Sequence, residues 1–173
     1  MDDHIGSQLL LQLILILTNA YFAATETAVV SINDNRIRKL AEEGDAKAAR
    51  MLRMIDSPTQ FLSTIQVCIT LSGFLASAFA AESFASVLAQ AMANAGFTLL
   101  SLSSLNTVCV VLVTLILSYF MIILGELVPK RIALRDPEKM ARFSCDVIDV
   151  IARIFKPLVW LCLLYTSDAA DEE

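Results

Sequence analysis

The chain has 173 residues, 57% of them hydrophobic and 18% charged, with a mean hydropathy of +0.66. Soluble domains carry about 45–50% apolar and about 25% charged residues, so both departures point to lipid as the surrounding solvent. Thirteen basic against eighteen acidic residues give a net charge of -5, the wrong sign for binding a phosphate backbone, and nucleic acid is excluded as a partner.

Charge is distributed in blocks. No charged residue occurs from Ile5 to Thr25, from Ser57 to Ala81, or from Ser83 to Gly125. A bilayer core of about 30 Å is crossed by about 20 helical residues, so the first two runs fit one span each and the third exceeds one. The chain therefore reads as an all-α membrane protein with three transmembrane helices, near 8–30, 59–81 and 106–128. The start Met1-Asp2-Asp3-His4 has no basic region and the apolar run after it is long, which reads as a span and not a cleaved signal. All thirteen Lys and Arg fall in two windows, Arg36 to Arg53 and Lys130 onward. By the positive-inside rule both windows are cytoplasmic and the N-terminus is outside, which an odd number of spans permits.

Between the first two spans, 33–55 reads as two short juxtamembrane helices broken at Gly44-Asp45. Ser57-Pro58 then opens the second span with a capping residue and a first-turn proline. The apolar segment from Ser83 to Ala95 makes only about three turns and is expected to lie against the outer ends of the spans. After the third span, 136–165 reads as further juxtamembrane helix: an amphipathic piece from Asp136 through Arg142, then an interfacial stretch from Val147 to Tyr165 carrying Trp160. The domain spans 1–165. The tail 166–173 has neither periodicity nor an apolar anchor and is expected to be disordered or an appended segment. The four cysteines, Cys68, Cys109, Cys145 and Cys162, lie in apolar surroundings without C-x-x-C spacing and read as small buried hydrophobes.

Function must be sought among polar residues at membrane depth. The first span carries Thr18, Asn19, Thr25 and Glu26, with Asn19 and Glu26 seven apart on one face. A charge at mid-bilayer costs about 2.5–3.5 kcal/mol even on lenient scales, so Glu26 either serves a pathway or meets a loop cation such as Arg36 or Arg38. In the second span Ser63, Gln66, Thr70, Gly73 and Ser77 recur at three- and four-residue spacing, which makes a polar seam or a close-packing face. The third span ends in Gly125-Glu126-Leu127-Val128-Pro129-Lys130. Proline lacks an N–H, so Pro129 should release the Gly125 carbonyl from its helical bond and leave it open beside the Glu126 carboxylate. Carbonyl, carboxylate and hydroxyl oxygens suit a hard cation such as Mg²⁺ or Ca²⁺. The alternative is a plain helix end with Glu126 paired to Lys130 four residues on.

Three segments carry a family resemblance: Asn19-Ala20-Tyr21-Phe22-Ala23-Ala24-Thr25-Glu26-Thr27-Ala28 with Ser31, Phe61-Leu62-Ser63-Thr64-Ile65-Gln66-Val67, and the Gly125 to Lys130 motif. In that order they resemble the transmembrane domain of the cyclin M (CNNM)/CorC family, over most of Gln8 to Leu164. The resemblance implies a homodimer in the cell membrane that exports Mg²⁺ coupled to inward Na⁺. It also implies cytosolic regulatory domains beyond the C-terminal end of this chain, and a bound ion held by hydroxyls of the first two spans with the Glu and Gly carbonyl of the third. Carried over, the metal ligands are Thr25, Ser63, Thr70, Gly125 and Glu126. The Mg²⁺ exporters of the family have an Asn-Asn pair where this chain has Ile69-Thr70, which is closer to the bacterial TlyC or hemolysin-like branch and implies an inner-membrane location.

Two other functional classes compete with this reading. A hydrolase would need a nucleophile and base, but the one histidine is His4 and neither H-E-x-x-H nor G-x-S-x-G occurs, so the chain is not expected to be an enzyme. A cation-sensing regulator that does not transport would use the same binding oxygens.

Overall fold

The computed structural model describes the backbone of residues 2–96 and 101–170, with side chains there except at 2–4, 81–82 and 161–170. Its helices are α1 (Asp2–Val30), α2 (Asp34–Glu42), α3 (Ala46–Asp56), α4 (Pro58–Asn94), α5 (Leu102–Ile122), a π-turn (Ile123–Leu127), α6 (Val128–Ala133) and α7 (Pro137–Ala170). Among the described residues three helical runs are long and apolar enough to cross a membrane: Ile5–Val30, Pro58–Asn94 and Leu102–Ala133. The protein is therefore an all-α, multi-pass membrane protein.

The helix ends follow from local chemistry. The Asn33 side chain accepts from the Arg36 N–H at 3.2 Å and starts α2. Gly44, at φ 95, lets the chain leave that helix in the left-handed region. The Asp45 carboxylate accepts from the N–H groups of Lys47 and Ala48 at 2.9 and 3.1 Å and opens α3, so the expected break at Gly44-Asp45 is present. Pro58 begins α4, and the Ser57 carbonyl accepts from Phe61 N–H at 3.2 Å.

Two boundaries differ from the sequence expectation. α4 does not stop near Ala81: the segment from Ser83 to Ala95 is its continuation as far as Asn94 and not a separate outer piece. No Gly or Pro lies between Gly73 and Gly96, alanine dominates, and one Glu82 cannot break a helix; Gly96, at φ 89, ends it. α7 likewise runs as one helix through Pro157, where two pieces were expected, because nothing between Arg142 and Val147 interrupts helical hydrogen bonding. The tail expected to be disordered starts inside this helix, which extends to Ala170, and 171–173 lie outside the described residues.

The chain divides into two compact units. The first comprises Met1–Tyr21 and Ile69–Pro129. Its core joins Ala85 and Ala89 of α4 to Leu105 and Cys109 of α5, with Leu88, Met92 and Val110 alongside. Alanines four apart form a flat stripe that lets two helices approach closely, the usual basis of association where lipid removes the hydrophobic drive.

The second unit comprises Phe22–Cys68 and Lys130–Glu173. Its buried residues include Ile37 of α2, Ala48, Met51 and Met54 of α3, and Ala141, Cys145 and Ile148 of α7. Around this core the basic faces of α2 and α3 meet acidic positions of α7: Arg36 with Glu138 at 3.1 Å, Arg53 with Asp149 at 3.7 Å, and Arg50 with Asp146. Arg142 of α7 returns the pairing to Asp45 at 2.7 Å. Cys68, Cys109 and Cys145 are buried free thiols, as read from the sequence, and Cys162 falls where side chains are not described.

Two of these carboxylates carry a pH dependence. The N–H of Ala48 and then Arg142 hold Asp45 below the ordinary value of 3.8, and Arg50 does the same to Asp146. A carboxylate depressed on folding contributes stability that is complete above its unfolded pKa and is lost as pH falls through the folded one. Helical melts of the purified protein should therefore be flat from neutrality to about pH 5 and decline modestly below about pH 4, since both carboxylates reach solvent and their pairs are screened. Asp146→Asn should lower the neutral plateau and soften the acid limb; an acid limb unchanged in both Asp146→Asn and Asp45→Asn would rule these pairs out as its source.

Candidate functional site

The most irregular backbone in the first unit is the π-turn Ile123–Leu127, in which Val128 N–H reaches back five residues to the Ile123 carbonyl. Pro129 cannot donate to the Gly125 carbonyl, and the widened turn occurs where that bond is missing. Gly125 is buried and Glu126, beside it in the same turn, is half-buried.

The Gly125 carbonyl is not open, as the sequence suggested. It accepts from the Asn19 Nδ2–H of α1 at 2.9 Å, in a buried contact between residues 106 apart in sequence. A buried carbonyl that has lost its helical partner must find another, and a side-chain amide is the nearest equivalent of a backbone N–H. Glycine suits this approach: a Cβ at position 125 would lie 3.2 Å from Asn19 Nδ2, a tight contact that the amide would have to relieve by moving a few tenths of an ångström. Asn19 is only 4% exposed, yet its Oδ1 has no hydrogen-bond partner. The first unit thus holds, in one place, a carbonyl oxygen that accepts from a replaceable amide and a buried amide oxygen with unused lone pairs.

Of the other expected donors in this unit, Thr70 lies on the exposed face of α4. The polar seam is offset from the face that packs. The buried stripe of α4 runs through Phe61, Thr64, Ile65, Cys68, Ser72, Ala76 and Ala80, while Gln66 and Thr70 are exposed and Ser63, Gly73 and Ser77 are half-buried. The small and apolar residues at steps of about four pack most closely, which turns the larger polar groups outward.

In the second unit Thr25 is fully buried and donates to Ser144 Oγ of α7 at 2.9 Å. Ser63 is half-buried. Glu26 meets Lys130 at 3.4 Å, not Arg36 or Arg38, which are taken by Glu138 and Asp56. Lys130 follows Pro129 directly, and its long ammonium stem reaches the carboxylate, whereas the α2 arginines are already paired elsewhere. Sequence reasoning left two participants without a role. Asn19 was visible as an amide in a charge-free span, whereas Ser144 carried no signal, sitting in a helix with many polar residues.

Among the described residues no three His, Cys, Asp or Glu side chains cluster as for a metal. The oxygen-rich features are the π-turn and Asn19 in one unit and the Thr25–Ser144 hydroxyl pair in the other, a hard-ligand chemistry without thiolate or imidazole.

Residues 10–168 match the cyclin M transmembrane N-terminal domain. A UPF0053 protein of Synechocystis sp. is 33% identical over 148 residues, covering 86% of this chain and 32% of the relative. A UPF0053 protein of Haemophilus influenzae is 28% identical over 155 residues, 90% of this chain and 33% of the relative. A protein named polyamine export protein, also from Haemophilus influenzae, is 25% identical over 146 residues, 84% of this chain and 33% of the relative. This chain spans about a third of the length of each of these relatives. With a family match over nearly the whole sequence and the π-turn motif in place, the chain belongs to the cyclin M transmembrane-domain family.

Proposed function

We propose that this domain carries a divalent cation, Mg²⁺, out of the cell, driven by inward Na⁺, with no enzymatic activity of its own. The observation that supports the reading best is the junction of Asn19, Gly125 and Glu126 at a π-turn inside a membrane-spanning helix. Irregular backbone at membrane depth is tolerated where it lines a binding site. The Asn19 amide supplies a switch. Its N–H occupies the Gly125 carbonyl; turned by about 180° at its terminal torsion, Oδ1 and the Gly125 carbonyl would converge on one cation. The carbonyl and amide dipoles and the Glu126 charge then replace part of the hydration shell. Thr70, in the same unit, is proposed as a further oxygen donor, and Thr25 and Ser63 as oxygen donors of the second unit.

Proteoliposome flux tests this directly. Mg²⁺ movement that requires a Na⁺ gradient supports the proposal, and cation binding without flux would make the protein a sensor instead. A second reading has one observation in its favour, the relative named polyamine export protein. The same oxygens accept hydrogen bonds from ammonium groups, so spermidine and putrescine belong in the same assay beside Mg²⁺, Ca²⁺ and Co²⁺.

The orientation that goes with this function places the N-terminus outside. In a variant freed of native cysteines, Ala46→Cys should be protected from an impermeant thiol reagent applied outside and Asn94→Cys should be labelled; both positions are exposed on the protein surface. The reverse pattern would invert the transport direction. We also propose a homodimer, since Gln66 and Thr70 are polar groups on an exposed face of a spanning helix and gain from a second subunit. Crosslinking in native membranes should give mainly a dimer.

A further inference from the structure

The second unit contains a cleft of about 280 Å³ rich in basic side chains. Arg50, Arg53, Arg153 and Lys156 line it against one carboxylate, Asp149. Arg50 is spoken for by Asp146 outside the lining. Asp149 is shared, with Arg53 at 3.7 Å on one side and Arg153 on the other. Lys156 is exposed and has no hydrogen-bond or ion-pair partner among the described residues. Three cations thus face one anion, and the cleft keeps a surplus of two positive charges. Such a surplus in a concave surface is unfavourable unless an anion enters it.

The level of the cleft is set by its other walls. Ser57, Gln60 and Phe61 belong to the start of α4, the helix whose apolar run begins at Pro58. Where a spanning helix begins, the bilayer presents its phosphates. Ser57 and Gln60 add neutral hydrogen-bonding groups, and the N-terminus of α4 adds a dipole of the sign that favours phosphate. Met54, Phe61 and Ile148 make an apolar floor. Beyond it α7 exposes Ile154, Leu158 and Trp160, apolar groups suited to acyl chains and the interface.

We propose that this cleft binds the headgroup of an anionic phospholipid, its phosphate among Arg53, Arg153 and Lys156 and its glycerol end on the apolar floor. The position is local and stoichiometric, distinct from the diffuse attraction of basic loops to a charged membrane. An occupied cleft would tie α3 and α7 to the first turn of α4.

Native mass spectrometry of the purified full chain, titrated with phosphatidylglycerol or phosphatidylcholine, tests the proposal. Wild type should retain one phosphatidylglycerol per chain in clear preference to phosphatidylcholine. Lys156→Gln with Arg153→Gln should reduce that preference about tenfold or more. Lys156→Gln alone, at an exposed and unpaired position, should give part of the loss without disturbing the fold. Lys156→Arg should keep binding, and Arg36→Gln, whose partner is Glu138 outside the cleft, should leave it unchanged. Equal retention of the two lipids by wild type, or equal losses in Arg36→Gln and Lys156→Gln, would overturn the assignment. Displacement of phosphatidylglycerol by millimolar inorganic phosphate would overturn the lipid as occupant and leave a soluble phosphate in its place.

Discussion

Glu126→Gln should weaken Mg²⁺ binding by on the order of 100-fold or more and abolish flux, while the purified protein keeps its helical content. The substitution preserves shape while removing the charge and turning one acceptor oxygen into an N–H donor, both of which disfavour a cation. A carboxylate a few ångström from a divalent ion, half-buried in a helix at membrane depth, acts through a much lower dielectric than water provides. The competing explanation makes Glu126 a helix-end partner of Lys130. Lys130→Gln separates the two, because Lys130 also reaches Glu26 at 3.4 Å and neutralising it should cost stability without altering the stoichiometry of ion binding. If Glu126→Gln and Lys130→Gln gave the same mild destabilisation and the same Mg²⁺ titration as wild type, the cation role of Glu126 would be lost and the pairing role kept. Pro129→Ala provides an intermediate case. It restores an N–H able to bond the Gly125 carbonyl within its own helix, which competes with Asn19 and should reduce affinity less than the loss of the charge.

Much of the architecture was readable because a bilayer imposes a length scale on the charge pattern. The three spans expected from the charge-free runs are each contained in a long apolar helix, and Gly44-Asp45 became a break. The ends were less readable, since polarity marks where lipid stops while only glycine, proline and capping groups mark where a helix stops. Glu82 ends a hydrophobic run, yet α4 passes through it to Asn94. Proline chemistry foretold that Gly125 would lose a partner but not that Asn19, 106 residues away, would take its place. No single sequence encodes that pairing locally. The displaced seam of α4 has a similar origin: Gln66 and Thr70 turn outward, and which face is buried depends on neighbours that periodicity does not name.

Asn19→Asp tests the switch itself and should produce a protein whose stability depends on cations. In the wild type Asn19 donates to the Gly125 carbonyl at 2.9 Å in a site where the side chain is 4% exposed. Aspartate is nearly isosteric but cannot donate when ionised, so it sets a negative oxygen against a carbonyl oxygen away from water. An unpaired buried charge costs about 3–5 kcal/mol, which the protein meets by loosening the π-turn or by protonating the acid. A divalent cation removes the conflict by bonding both oxygens. Thermal unfolding of Asn19→Asp in chelator should therefore fall well below wild type, and added Mg²⁺ should recover most of the difference. Asn19→Leu leaves the carbonyl without a donor and should lose about 1–3 kcal/mol that no cation restores. The contrast between the two variants is diagnostic, since simple loss of the Asn19 hydrogen bond predicts the same deficit for both and no response to Mg²⁺. Recovery of Asn19→Asp by spermidine, with Mg²⁺ ineffective, would keep the site and change its cargo to an organic polycation.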